Sequence, residues 1–209
     1  MHILELYQKA QREEIDHTFL LGVLRDYKQP RMKICRWLTN KKLIRVKKGL
    51  YVFNPEVVKA PYQQAVLANW IYGPSALSLH FALSFYGFIP EHVVELTSVT
   101  PKKNKTFHTS AGRFTYRHQH LECYQVGLTI IEDSKTQKFI MATPEKAVAD
   151  FLTLATPKLE SREELVEYLE NDMQFDMDEL KALSRENFLS LQAHYKHQHL
   201  KFLLEWLAS

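Results

Sequence analysis

The 209-residue chain predicts an α+β fold, and three observations predict it. Three short helical stretches close on a basic β-hairpin before residue 55. A run of β-like segments fills about 92–141, and helical patterning returns from residue 143 to the end. The expected second region is therefore a mixed α/β unit, with a small, mostly antiparallel sheet and a helical C-terminal tail.

Ile3, Leu4, Leu6 and Tyr7 share one side of residues 3–12, the pattern of a short amphipathic helix. Thr18 can cap a second helix through Phe19, Leu20, Val23 and Leu24 to about Tyr27. Pro30 suits the first turn of a third, about 30–41, where its missing N–H is an orphan anyway. Ile34, Trp37 and Leu38 form the buried stripe of that helix, which leaves Arg31, Lys33, Arg36 and Asn40 on its other faces. In LIRVKKGLYVF at 43–53, β-formers flank a Lys47-Lys48-Gly49 turn in which Gly49 can supply a positive φ. Three helices and a small basic hairpin make a winged helix-turn-helix, expected over 1–55. Residues 54–61, with two prolines, read as the linker to a second region spanning 62–209.

That region opens with helical stretches at about 62–72 and 74–87, separated by Gly73-Pro74, with Gly87 suited to a helix C-cap. β-like segments follow at about 92–100, 105–109, 112–118, 123–132 and 137–141, and a turn at 109–112 makes 105–118 a hairpin. Thr143-Pro144-Glu145 supplies an N-cap, a first-turn proline and a first-turn acid to a helix through Val148, Phe151 and Leu152. Ser161-Arg162-Glu163-Glu164 is a capping box that starts the helical tail.

Charge is distributed unevenly. Between Arg25 and Gly49 ten Lys/Arg residues meet one acid, Asp26, a formal +9 in a chain whose total is +3. Residues 160–186 hold ten acids against three bases. Such asymmetry points to a polyanion partner at one end. The two cysteines, Cys35 and Cys123, lack metal-like spacing and are too few for a disulfide framework, which fits a reducing compartment. No apolar window approaches the ~18 residues of a membrane span, so a cytoplasmic protein without a membrane partner is expected.

Arg31, Lys33, Arg36 and Asn40 have the side chains that a recognition helix needs for base edges. Arg45, Lys47 and Lys48 of the hairpin would follow the phosphate backbone. The alternative is a helix and hairpin that carry cations for solubility alone. Against it stands the coincidence of the charge run with Pro30, Trp37 and Gly49 at the places this motif requires. Lys102, Lys103, Lys105, Arg113 and Arg117 make a second basic patch, open to a nucleic acid, a nucleotide phosphate or solvent alone. Ten histidines complete no metal site: His194, His197 and His199 cannot converge on one helix, and His118 with His120 lacks further ligands. There is no phosphate-binding glycine loop, nucleophile elbow or Asp-x-Asp pair, so no catalytic residues, metal or cofactor are assigned, and a non-enzyme is expected.

Four blocks carry a family resemblance. LIRVKKGLYVF at 43–53, LANWIYGPSALSLHFALSFYGFIPEHVVELTSVTPKKNKTF at 67–107, GRFTYRH at 112–118 and ATPEKAVADFL at 142–152 resemble, in order, the AbiEi antitoxins of type IV toxin–antitoxin systems. The likeness covers roughly residues 15–155. It implies a DNA-binding transcriptional autorepressor, acting at the operator of its own operon in double-stranded DNA. It also implies an antitoxin that counteracts a nucleotidyltransferase-like toxin, with no direct complex required. The DNA-contacting role carries over to the helix of Arg31–Arg36 and the hairpin of Arg45–Lys48. The alternatives are a stand-alone winged-helix regulator without a toxin, and a nucleic-acid-modifying enzyme.

Overall fold

The computed structural model describes residues 1–132 and 137–208. It is a mixed α and β structure with a small antiparallel sheet of three strands and a larger mixed sheet of six. Helix α1 (Ile3–Ala10) is followed by strand β1 (Glu14–Asp16), α2 (His17–Val23), α3 (Pro30–Thr39) and the hairpin β2 (Leu43–Lys47) and β3 (Leu50–Phe53). The small sheet has the order β1-β3-β2, both junctions antiparallel. Strand β1 has no period-2 apolar pattern and was not part of the expected series. The second helix is capped by Asp16, not Thr18: the Asp16 carboxylate accepts from the Phe19 N–H at 2.7 Å. Asp16 wins because β1 already holds it in the extended conformation that an N-cap requires.

Helix α3 begins at Pro30 and ends in two backbone hydrogen bonds back into its last turn. Lys41 N–H donates to Leu38 O and Lys42 N–H to Trp37 O, with Lys41 left-handed at φ 51°. The hairpin turns at Lys48-Gly49, with Gly49 at φ +88° and a register shift between Arg45 and Lys47. The stretch expected as a linker contains a short helix, α4 (Pro55–Val58), capped by Asn54.

In the second region α5 (Gln64–Ile71) leads into a two-residue strand, β4 (Ala76–Leu77), and then α6 (Leu79–Phe85). The expected helix over 74–87 is thus a strand and a shorter helix, because Ala76 and Leu77 pair with both neighbours at the centre of the sheet. Helix α6 ends as Gly87 predicts, at φ +81°, with Phe88 N–H donating to Leu83 O. Strands β5 (Leu96–Thr100), β6 (Lys105–Thr109) and β7 (Gly112–His118) precede a short helix, α7 (Leu121–Tyr124), which takes the first two residues of the strand expected at 123–132. Then come β8 (Leu128–Glu132) and β9 (Lys138–Ala142).

The order β6-β7-β5-β4-β9-β8 makes this sheet larger than expected and mixed, since β5–β7 and β4–β9 run parallel. Pairing assigns its faces. Lys105, Phe107, Phe114 and Tyr116 share one face, which α5 covers through the bond from Tyr116 OH to Ala68 O at 2.6 Å. Arg113, Thr115, Arg117, Thr97 and Val99 share the other, covered in part by α6 and by α8 (Pro144–Leu154). Outside α8 pack α9 (Arg162–Glu167), a π-helical turn at Tyr168–Asp172, α10 (Met177–Lys181), α11 (Arg185–Tyr195) and α12 (Gln198–Trp206).

Two hydrophobic clusters form. Ile3, Leu6, Ile15, Leu20, Leu24, Ile34, Trp37, Leu43, Tyr51 and Phe53 fill the smaller. The larger spans the six-stranded sheet and its helices, and it also takes in Val46, Leu50 and Val52 from the hairpin. The hairpin therefore belongs to both cores. Among the described residues no helix is long and apolar enough to cross a membrane.

Candidate nucleic-acid interface

Burying Ile34 and Trp37 against the small core fixes which side of α3 meets solvent. Arg31, Met32, Cys35, Arg36, Thr39 and Asn40 are all exposed. Lys33 is half-buried: its ammonium lies 5.4 Å from the Trp37 ring centre and 5.9 Å from that of Tyr27. It belongs to the flank of the helix, not to the presented face with Arg36. Met32, Cys35 and Thr39 were missed as members of that face, although their i, i+3, i+7 spacing opposite the apolar stripe is a readable signal.

On the hairpin, Arg45 and Lys48 are exposed, and the Arg45 guanidinium lies 5.9 Å from the centre of the Tyr51 ring. Arg45 stands between two clefts. One, about 530 Å³, is lined by Leu38, Lys41, Ile44 and Asn54 at the end of α3; the other, about 670 Å³, by His17, Lys48, Gly49 and Tyr51. A larger cleft, about 890 Å³, lies elsewhere, between α11 and α12. Lys47 does not point into the Arg45 clefts. Its ammonium donates to Ile71 O at the end of α5, and burial, with Lys102 and Lys105 adding to it, lowers its pKa.

The second basic patch divides. Lys102 and Lys105 lie on the α5 side of the sheet, around Tyr72, and the exposed Lys103 sits in the loop between them. Arg113 and Arg117 lie on the opposite side, where Arg113 pairs with Glu95 at 3.1 Å and Arg117 donates to Leu154 O at 3.3 Å. Lys105 and Arg113 lie on paired strands, so whether they share a face depends on the hairpin register. Only the pairing of Lys105 with Tyr116 decides it.

Behind the sheet a buried polar group went unread. Lys146 and Asp150, on α8, are both fully buried. The Lys146 ammonium donates to Cys123 O at 2.7 Å, to Tyr195 Oη at 2.7 Å and to Asp150 Oδ1 at 3.4 Å. Asp150 also accepts from Tyr195 OH at 2.5 Å, Ser78 Oγ at 2.7 Å and Gln119 Nε2 at 3.1 Å. Burial lowers the pKa of Lys146, and Asp150 opposes that shift; burial first and then Asp150 push that of Tyr195 up. With its hydrogen bonds met, the buried cluster ties α7, α8, α11 and the N-cap of α6 together. His199 is likewise a core residue, between Leu152 O at 3.0 Å and the Leu159 N–H at 3.2 Å. Among the described residues no group of three or more His, Cys, Asp or Glu side chains is placed to hold a metal ion.

No protein-family model matches the chain, and the curated proteins hold no match to it.

Proposed function

We propose that the N-terminal unit is a winged helix-turn-helix that binds double-stranded DNA, with α3 as the recognition helix and the β2–β3 hairpin as the wing. The observation that carries this is the solvent-exposed surface of α3, which presents Arg31, Arg36 and Asn40, and neither arginine forms an ion pair among the described residues. Arginine can pair bidentately with guanine and asparagine with adenine in a major groove. Arg45 and Lys48, on the flanking hairpin, are suited to phosphates of the same duplex, and that contribution falls with salt. The acidic surface at 160–186 belongs to the far helices and repels the same polyanion.

The wider reading follows the resemblance in the four blocks: an autorepressor and antitoxin of a type IV, AbiEi-like system in the cytoplasm. It would act at the operator of its own operon and oppose a nucleotidyltransferase-like toxin without a required direct complex. No catalytic step is assigned to the chain. The test uses the full chain. Arg31→Glu with Arg36→Glu should abolish binding to the duplex upstream of its own reading frame, while growth during expression of the neighbouring toxin is still rescued. Retained operator affinity in a folded double variant would overturn the DNA reading. Loss of rescue in the same variant would overturn the separation of the two roles.

A further inference from the structure

Three lysines from three segments meet at the seam between the hairpin and the larger sheet. Lys47 ends β2, Lys102 lies in the β5–β6 loop and Lys105 opens β6. The ammonium of Lys102 is 5.2 Å from the centre of the Tyr72 ring, and that of Lys105 is 5.6 Å from it and 4.9 Å from the centre of Phe107. The floor is aromatic: Tyr72, Phe107 and Tyr116 pack edge-on or tilted, with centroids 5.3–5.8 Å apart. Lys47 and Lys102 are each held by one hydrogen bond to a carbonyl, Ile71 O at the end of α5 and Gly73 O just beyond it.

These bonds explain part of the arrangement, because the C-terminal carbonyls of a helix favour cations. They do not explain Lys105, which meets neither carbonyl. No carboxylate forms an ion pair with any of the three among the described residues. Lys102 and Lys105 stand over Tyr72 and Lys47 beside them at Ile71 O, so three like charges repel one another, and among the described residues most of their N–H donors remain unused. The chemistry that relieves both conditions is an anion with several clustered oxygens.

We propose that Lys47, Lys102 and Lys105 around Tyr72 form a binding site for a phosphate-bearing anion with two or more adjacent negative charges. Binding there would clamp the hairpin to the larger sheet, since Lys47 comes from one side of the seam and Lys102 and Lys105 from the other. The site stands apart from the operator reading and needs neither Arg31 nor Arg36.

Inorganic pyrophosphate is the probe, titrated calorimetrically into the full chain at low ionic strength. The expected result is one saturable site, weakened roughly tenfold or more by Lys102→Gln with Lys105→Gln, as loss of two charge-assisted partners implies. Lys196→Gln with Lys201→Gln removes the same charge from the far α11–α12 region and should leave the affinity unchanged. No saturable binding to the wild-type chain, or equal weakening by both double variants, would overturn the site. Circular dichroism establishes that each variant is folded. A second arm identifies the source of the phosphate. If pyrophosphate competes with duplex DNA and Lys102→Gln with Lys105→Gln lowers the salt slope of DNA binding by about two, the occupant is the phosphodiester backbone. If DNA binding is unchanged while pyrophosphate binding is lost, the occupant is a free phosphorylated compound. Either result supports the site.

Discussion

Lys146 and Asp150 sit one helical turn apart on α8, and solvent reaches neither side chain. A buried ion pair of this kind persists only if its remaining donors and acceptors are met, which Cys123 O, Tyr195, Ser78 and Gln119 accomplish. Removing one partner strands the other. Lys146→Met should therefore cost about 3–5 kcal/mol in urea unfolding at constant m, and Lys146→Met with Asp150→Asn should recover part of that loss. A cost near zero for the single variant would show that the pair is not holding α8 to α11. A Lys and an Asp at i, i+4 are legible in PEKAVADFL, but the block reads as a helix start and a family motif, not as a buried ion pair. What makes the pair tolerable is Tyr195, 45 residues further on, and no local pattern links the two.

At the scale of elements, the short pieces were the ones that escaped. Strand β1 has three residues and β4 two, too few for periodicity to register. Strand β4 is completed by a side chain: Asn69 accepts from the Ile140 N–H at 2.6 Å and donates to Ile140 O at 3.2 Å, standing in for the next strand residue. Glu14, which opens strand β1, and Glu13, just before it, are two acids buried beside the hairpin. Glu13 accepts from Tyr7 OH and Gln137 Nε2, each at 3.0 Å, whereas burial, chiefly, raises the pKa of Glu14. The folded protein thus holds the Glu14 proton to higher pH than the unfolded chain does. Stability from this group is complete below the ordinary carboxyl value and is lost as pH rises through the raised one. Glu14→Gln should accordingly raise the Tm at about pH 7 and converge with the wild type near about pH 4. Thermal melts across that range check it, and a pH-independent difference would count against the titration. The longer elements were legible because caps and periodicity act within one turn, as at Pro30, Thr143 and Ser161.

Across the whole molecule, the hairpin is the join. Val46, Leu50 and Val52 enter the larger core, Ser110 Oγ donates to Arg45 O at 3.2 Å, and the Arg12 guanidinium lies 4.8 Å from the centre of the Trp70 ring. Cutting the chain after residue 55 would remove three buried aliphatic side chains from the larger core, worth on the order of 5 kcal/mol together. That approaches the whole stability of an ordinary domain. A fragment of residues 56–209 should melt well below the full chain and bind a hydrophobic dye, both measurable by calorimetry and fluorescence. An unchanged Tm would mean that the larger core closes without the hairpin. The test of separate roles for the two regions is for this reason better made with point variants on α3.

The sequence by itself determined the helix-and-hairpin series of the first 55 residues, the exposure of Arg31 and Arg36 on α3, and the distance in sequence between the basic window and the acidic tail. These are readable because capping, periodicity and formal charge are local properties. Only the tertiary structure decided that Lys47 turns away from the Arg45 clefts to join Lys102 and Lys105, that Arg113 and Arg117 lie across the sheet from them, and that Lys146 meets Tyr195. Each of those outcomes depends on strand order, register and the docking of the hairpin, which are settled by contacts between residues far apart in the chain.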